Sequence, residues 1–173
     1  MRRALEFASP SRSITSLSSA VDEIVARSLA KWPNVPAVFG WLSLDRRGNW
    51  LIKGEKIANA ALRQFIARNY EADDNGRWYF QNGPQRVFVS LAYTPLVVHY
   101  EGEELFDQCG RRFAPSQTFQ DDEGSVLIAG NRTVALLDDR DLARFADEEK
   151  TLRLIARAEL PGRFGFVPDP KPG

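Results

Sequence analysis

Apolar residues recur at every second position through most of the chain between Ala37 and Leu137, and the pattern is broken once by a helical stretch. Ala37–Leu44 (AVFGWLSL) and residues 49–53 (NWLIK) have a period of two, which sends alternate side chains to opposite faces of a strand. They predict a hairpin around Asp45-Arg46-Arg47-Gly48. Residues 59–70 (NAALRQFIARNY) change to spacings of three and four. Asn59 is the natural N-cap of this helix, and Leu62, Phe65, Ile66 and Tyr70 form its buried stripe. Residues 77–137 return to strands and turns. Upstream, Leu17, Val21, Ile24 and Val25 trace one face of a helix from Ser18 to Lys31, which Trp32-Pro33 ends. Downstream, residues 138–149 (DDRDLARFADEE) predict a short capped helix, and Thr151–Leu160 suits helix and strand equally.

One frame recurs within the strands. Asp45-Arg46-Arg47-Gly48 precedes Trp50 and Ile52; Asp73-Asp74-Asn75-Gly76 precedes Trp78 and Phe80; Asp121-Asp122-Glu123-Gly124 precedes Val126 and Ile128. Asp107-Gln108-Cys109-Gly110, leading into Arg112 and Phe113, is a partial copy. The second and third copies extend further, with Val87 and Val89 corresponding to Val134 and Leu136. A type I turn favours Asp first, where the carboxylate bonds backbone amides, and Gly fourth, where the chain turns left-handed. Such a turn with a glycine bulge is a common hairpin connection. The expected fold is therefore α+β: antiparallel sheets built from repeated Asp-x-x-Gly hairpins, with an N-terminal helix and one helix packed on the sheet. Residues 1–15 are expected to be a flexible arm and 16–160 a single domain, divisible into 16–100 and 101–160. The Pro/Gly-rich residues 161–173 are expected to be an extended tail.

The run from Gly48 to Val98, with Gly-x-Trp, the helix, Asp-x-x-Gly and Tyr93-Thr94-Pro95-Leu96, resembles a proteobacterial family of uncharacterised proteins. It is distantly similar to a second uncharacterised bacterial family with repeated structural motifs. The resemblance spans about residues 40–137 and implies an α+β fold and a signalling or regulatory role. Its motifs are turn and core positions, so it carries over no catalytic residue.

Composition narrows the chemistry. Twenty-three basic and 23 acidic side chains balance, so the basic excess typical of duplex-DNA binders is missing. One cysteine, Cys109, excludes an internal disulfide, and no Cys-based zinc site or cofactor motif stands out. The longest apolar runs fall far short of a membrane-spanning helix, the N-terminus lacks a secretory apolar core, and a cytoplasmic protein is expected.

His99 is the only histidine, and a Cys-His device would need it beside Cys109. Turn carboxylates would serve a hydrolase only if two faced each other across a cleft. The strand of Trp78, Tyr79 and Phe80 gives the clearest recognition surface. Trp78 and Phe80 take core positions of the repeat, leaving Arg77, Tyr79 and Gln81 on the other face with Arg86 nearby. These four are the candidate binding residues, as an exposed stacking patch. Convergence of Arg77, Tyr79 and Arg86 with Arg111 and Arg112 would favour single-stranded nucleic acid. The reading preferred over that and over a hydrolase is a non-enzymatic regulatory protein recognising a peptide, protein or small ligand. No metal or cofactor is expected.

Overall fold

The computed structural model describes residues 23, 27, 29, 30, 32–148 and 151–173. The arm expected over 1–15 and most of the helix expected over Ser18 to Lys31 lie outside the described residues. Among the described residues, thirteen strands form two sheets. The first contains β1 (Ala37–Leu44), β2 (Trp50–Ile52), β3 (Glu55–Lys56), β4 (Tyr70–Ala72), β5 (Trp78–Asn82) and β6 (Gln85–Leu91), in the order β3-β2-β1-β6-β5-β4. The second contains β7 (Leu96–Glu101), β8 (Glu104–Asp107), β9 (Arg112–Phe113), β10 (Pro115–Gln120), β11 (Val126–Gly130), β12 (Thr133–Leu137) and β13 (Arg153–Leu154). Its order is β13-β10-β11-β12-β7-β8-β9. Read from the β9 edge, this is the order of the first sheet advanced by six strands, with β13 added at the far edge.

The expectation of purely antiparallel sheets is corrected: β1 pairs β6, β7 pairs β12 and β10 pairs β13 in parallel. Each set of six strands is two antiparallel meanders, and the first strand of one meets the last strand of the other at the sheet centre. A parallel pair needs a long crossover, supplied here by whole hairpins. Periodicity reveals which face a residue takes, not which strand lies beside it. At the centre of the second sheet even the alternation disappears, because every residue of β11 and β12 is buried.

The correspondence of Val87 and Val89 with Val134 and Leu136 is also corrected, by one residue. Phe80 faces Val87 across the β5–β6 hairpin, and Ile128 faces Ala135 across β11–β12. The matching positions are thus Ala135 and Leu137. Both hairpins turn through two residues, the second with φ of 48° at Asn131 and 63° at Arg132, as a primed turn requires.

Helix α1 (Ala60–Arg68) begins as its sequence predicts: Asn59 Oδ1 accepts the Leu62 amide at 3.0 Å. Its buried Leu62 and Ile66 lie beside Phe65, whose ring meets Phe80 edge-on at 5.5 Å. The same face of the first sheet carries buried Leu42, Leu44, Trp50, Tyr70, Val87 and Val89. Tyr70 packs between Trp50 and Trp78, and its hydroxyl donates to Pro95 O at 2.8 Å, tying this core to the connection leading into β7.

After β12, Asp138 caps a 3-10 turn (Asp139–Asp141) that runs into helix α2 (Leu142–Asp147). Thr151–Leu160 resolves into β13 and a second 3-10 turn, Arg157–Glu159. The tail expected to be extended starts inside helix α3 (Leu160–Phe164). Left-handed Gly165 (φ 66°) ends the helix, and the chain then docks. Val167 N donates to Gly76 O at 2.8 Å, Leu91 N donates to Pro168 O at 2.7 Å, and the Ser90 hydroxyl donates to Asp169 Oδ1 at 2.9 Å. Leu160 and Phe166 supply the burial that outweighs the turn-forming composition of this segment.

Candidate functional site

The four Asp-x-x-Gly turns share one hydrogen-bond pattern. The Gly amide donates to the Asp carbonyl at 3.0 to 3.2 Å, and each Gly is left-handed. One carboxylate oxygen accepts two further amides: Arg47 and Asn49 at Asp45, Asn75 and Arg77 at Asp73, Cys109 and Arg111 at Asp107, Glu123 and Ser125 at Asp121. These aspartates hold their own turns. The second oxygen differs between copies: at Asp45 it accepts from Asn49 Nδ2, at Asp73 from Arg77 Nε, and at Asp121 from the Tyr93 hydroxyl. Among the described residues no cluster of three His, Cys, Asp or Glu side chains suits a metal ion.

Of the four candidate binding residues, Arg77, Tyr79 and Arg86 gather on the face of the first sheet opposite Phe80. They do not form an open platform. Tyr79 is 4% exposed, its hydroxyl donates to Glu71 Oε1 at 2.7 Å, and the Arg86 guanidinium lies 4.5 Å from its ring centre. Arg77 lies over Phe88 at 4.7 Å while pairing with Asp73, and Phe39 stacks on the same Phe88 at 4.6 Å. The expectation of an exposed stacking Tyr79 is therefore corrected. Strand alternation placed it on the right face, but Phe88 from the neighbouring β6, Phe39 from β1 and the two arginines cover that face. The Tyr79 phenol is raised, first by its bond to Glu71 and then by burial. Gln81 is not part of this group: its amide closes the hairpin onto the Gly83 and Gln85 carbonyls. Arg111 caps the end of α1 through Ala67 O and also bonds Tyr70 O, and Arg112 pairs with Glu104 at 2.7 Å. Those two serve contacts of their own.

A pocket of about 430 Å³ opens where β6 ends and the C-terminal segment docks. Leu91, Leu160, Pro161, Phe166 and Pro168 give it apolar walls, and Asp122 and Arg157 stand among its lining with Tyr93. Tyr93 is fixed on several sides. Its hydroxyl donates to Asp121 Oδ2 at 2.5 Å, and the guanidinium groups of Arg46 and Arg157 lie 4.6 and 4.8 Å from its ring centre. Arg46 also donates to Ser125 Oγ, and Arg157 pairs with Glu123 while its backbone N–H donates to Asp122 Oδ1. Burial, followed by the bond to Asp121, pushes the Tyr93 phenol well above its ordinary range, so it stays protonated at neutral pH. Burial also raises the Asp121 carboxyl, but the Tyr93 hydroxyl and the Ser125 and Glu123 amides outweigh it and hold the group below its ordinary value.

Sequence reasoning missed this pocket. Its parts come from residues 91–93, 122, 157, 158, 160, 161, 166 and 168, and no periodicity links them. The available signals were the apolar residues Phe164, Phe166 and Val167 in a tail otherwise rich in Pro and Gly, and Tyr93 two residues before Pro95.

His99 faces Phe106 across β7–β8, and its Nε2 lies 2.8 Å from Glu101 Oε1. Burial, with Asp107 adding to it, pushes the Cys109 thiol up to about 12. A thiol held protonated in this way is a poor nucleophile.

Residues 21–171 match the family model described as "Protein of unknown function (DUF2946)". Among solved structures, a DUF1285 family protein from Silicibacter pomeroyi DSS-3 is similar in fold: TM-score 0.50, 15% identity, 71% of this chain and 82% of that one. A DUF1285 family protein from Shewanella baltica OS155 superposes with a TM-score of 0.49 at 16% identity, over 64% of this chain and 93% of that one. No curated protein matches the chain.

Proposed function

Because the chain belongs to this family of unknown function, we propose a role from its geometry: a non-enzymatic regulatory protein that binds a small ligand beside Tyr93. The observation that carries this reading is the pocket itself. It has the size and the largely apolar lining with few polar groups typical of small-molecule sites. Its walls join three parts of the molecule: the end of β6, the Asp121 turn of the second sheet, and the C-terminal segment bonded to Gly76 and Leu91. A ligand seated there would bridge all three and so favour the arrangement in which they meet, the differential binding on which a regulatory role depends.

The common strand order of the two sheets supports reading them as copies of one hairpin-built unit. The positions that follow β6 and β12 are then equivalent: Ala92 N donates to Leu44 O, and Asp138 N donates to Val98 O. The copies have diverged in what comes next, an apolar pocket after β6 and an Asp138–Arg140 ion pair after β12. No helix of the described residues is long and apolar enough to cross a membrane, and a cytoplasmic location is part of the proposal. The ordinary requirements of a hydrolase find less support, since Asp45, Asp73, Asp107 and Asp121 are each engaged by the backbone of their own turn.

The test is ligand-detected NMR with a fragment set, on the wild-type chain and on Ala158→Trp, which fills the pocket from an exposed rim position. Fragments should bind the wild-type chain and lose binding in the variant. Binding unaffected by Ala158→Trp would place the ligand elsewhere and sink the reading.

A further inference from the structure

We infer that the ligand of this pocket is a zwitterion with an apolar body, of the class of a free α-amino acid with a hydrophobic side chain. The inference rests on the pocket beside Tyr93 being the ligand site. Charges of opposite sign stand together in its lining, and both keep unused capacity. Asp122 Oδ1 accepts the Arg157 amide, while Oδ2 has no hydrogen-bonding partner among the described residues. Arg157 uses Nη1 on Glu123, its side chain is 40% exposed, and its remaining guanidinium N–H groups have no hydrogen-bonding partner there. The 2.9 Å bond from the backbone Arg157 N to Asp122 Oδ1 fixes the Asp122 carboxylate beside Arg157, and both residues line the pocket.

The rest of the lining is largely apolar, provided by Leu91, Leu160, Pro161, Phe166 and Pro168. An uncharged ligand would leave Asp122 Oδ2 and the remaining guanidinium N–H groups of Arg157 to water alone. A simple anion would suit Arg157 but meet Asp122, and a simple cation would suit Asp122 but meet Arg157. A molecule with an ammonium and a carboxylate on one carbon satisfies both, and its side chain takes the apolar walls. The Arg157 guanidinium also lies 4.8 Å from the Tyr93 ring centre and pairs with Glu123, so less of its freedom is left to lose when it binds a carboxylate.

Isothermal titration of the full chain with L-leucine and L-phenylalanine, beside N-acetyl-L-leucine and L-leucine methyl ester, tests this. Each blocked form lacks one charge and should bind about 10- to 100-fold more weakly than leucine, the cost of one charge-assisted hydrogen bond. Asp122→Asn keeps an oxygen for the Arg157 amide and removes the charge, so it should weaken leucine while leaving N-acetyl-leucine nearly unchanged. If the blocked forms bind as tightly as leucine, the pocket stands and the zwitterion is wrong. If neither free nor blocked amino acids bind while fragments still depend on Ala158, the zwitterion is again wrong. If no fragment depends on Ala158, the pocket itself is wrong and the inference falls with it.

Discussion

The Tyr93 hydroxyl donates a 2.5 Å hydrogen bond to Oδ2 of Asp121, whose other oxygen accepts the amides of Glu123 and Ser125. One carboxylate therefore closes a turn in the second sheet and anchors the connection that leaves the first. Tyr93→Phe should strand that buried oxygen and lower stability by about 1–3 kcal/mol, the penalty of an unsatisfied buried acceptor. Urea unfolding measures it, and an unchanged midpoint would mean that the bond contributes nothing.

Acid stability follows from the same groups. In Asp138 the Arg140 bond leads in holding the carboxyl below its ordinary value. In Asp73 burial raises the carboxyl but the Arg77 and Asn75 donors prevail, and in Asp121 the donors prevail likewise. Groups depressed in the folded state contribute stability in full above the unfolded carboxylate range, near pH 4, and lose it as pH falls through their folded values. Asp107 is raised, by burial first, so it acts in the opposite sense and gains stability on protonation. Denaturation midpoints should thus be lost steeply only in acid, and Asp121→Asn should flatten that limb. A loss that begins near neutrality would contradict the assignment.

Gly76 and Gly124 occupy equivalent turn positions with φ of 75° and 85°, yet their surroundings differ. A Cβ at Gly124 meets open space, whereas one at Gly76 runs into the Gly165 carbonyl of the docked tail. Gly124→Ala should cost about 1–2 kcal/mol, the left-handed penalty alone. Gly76→Ala should cost more and release the Val167 amide to hydrogen exchange. Equal costs with Val167 still protected would refute the docking of the tail on this turn.

Cys109 should be unreactive in the native chain. With its thiol near 12, alkylation by iodoacetamide at pH 8 should be slow until denaturant is added. Cys109→Ser should leave ligand binding unaltered. Rapid native labelling would show a thiolate that the burial of this site does not predict.

The local features were legible and the long-range ones were not. Asn59 declared the start of α1, and the spacing of Asp to Gly located each tight turn, because both depend on neighbours in sequence. Tyr79 was placed on its proper face by alternation, but its covering by Phe88, Phe39 and Arg86 depends on which strands lie beside β5. The parallel pairings of β1 with β6 and β7 with β12 left no trace in periodicity for the same reason. The tail was misread because Pro and Gly were weighed above Leu160 and Phe166, whose burial against distant strands decides its course. The pocket combines both failures, since it exists only where that tail meets β6 and the Asp121 turn.

Amide chemical-shift mapping with L-phenylalanine on isotope-labelled protein tests the pocket beside Tyr93 most directly. Saturable shifts are expected at Ala92, Tyr93, Asp122, Arg157 and Phe166, with Arg77, Tyr79 and Arg86 unmoved. Shifts centred on Arg77, Tyr79 and Arg86 instead, or none beside Tyr93, would contradict a ligand site there.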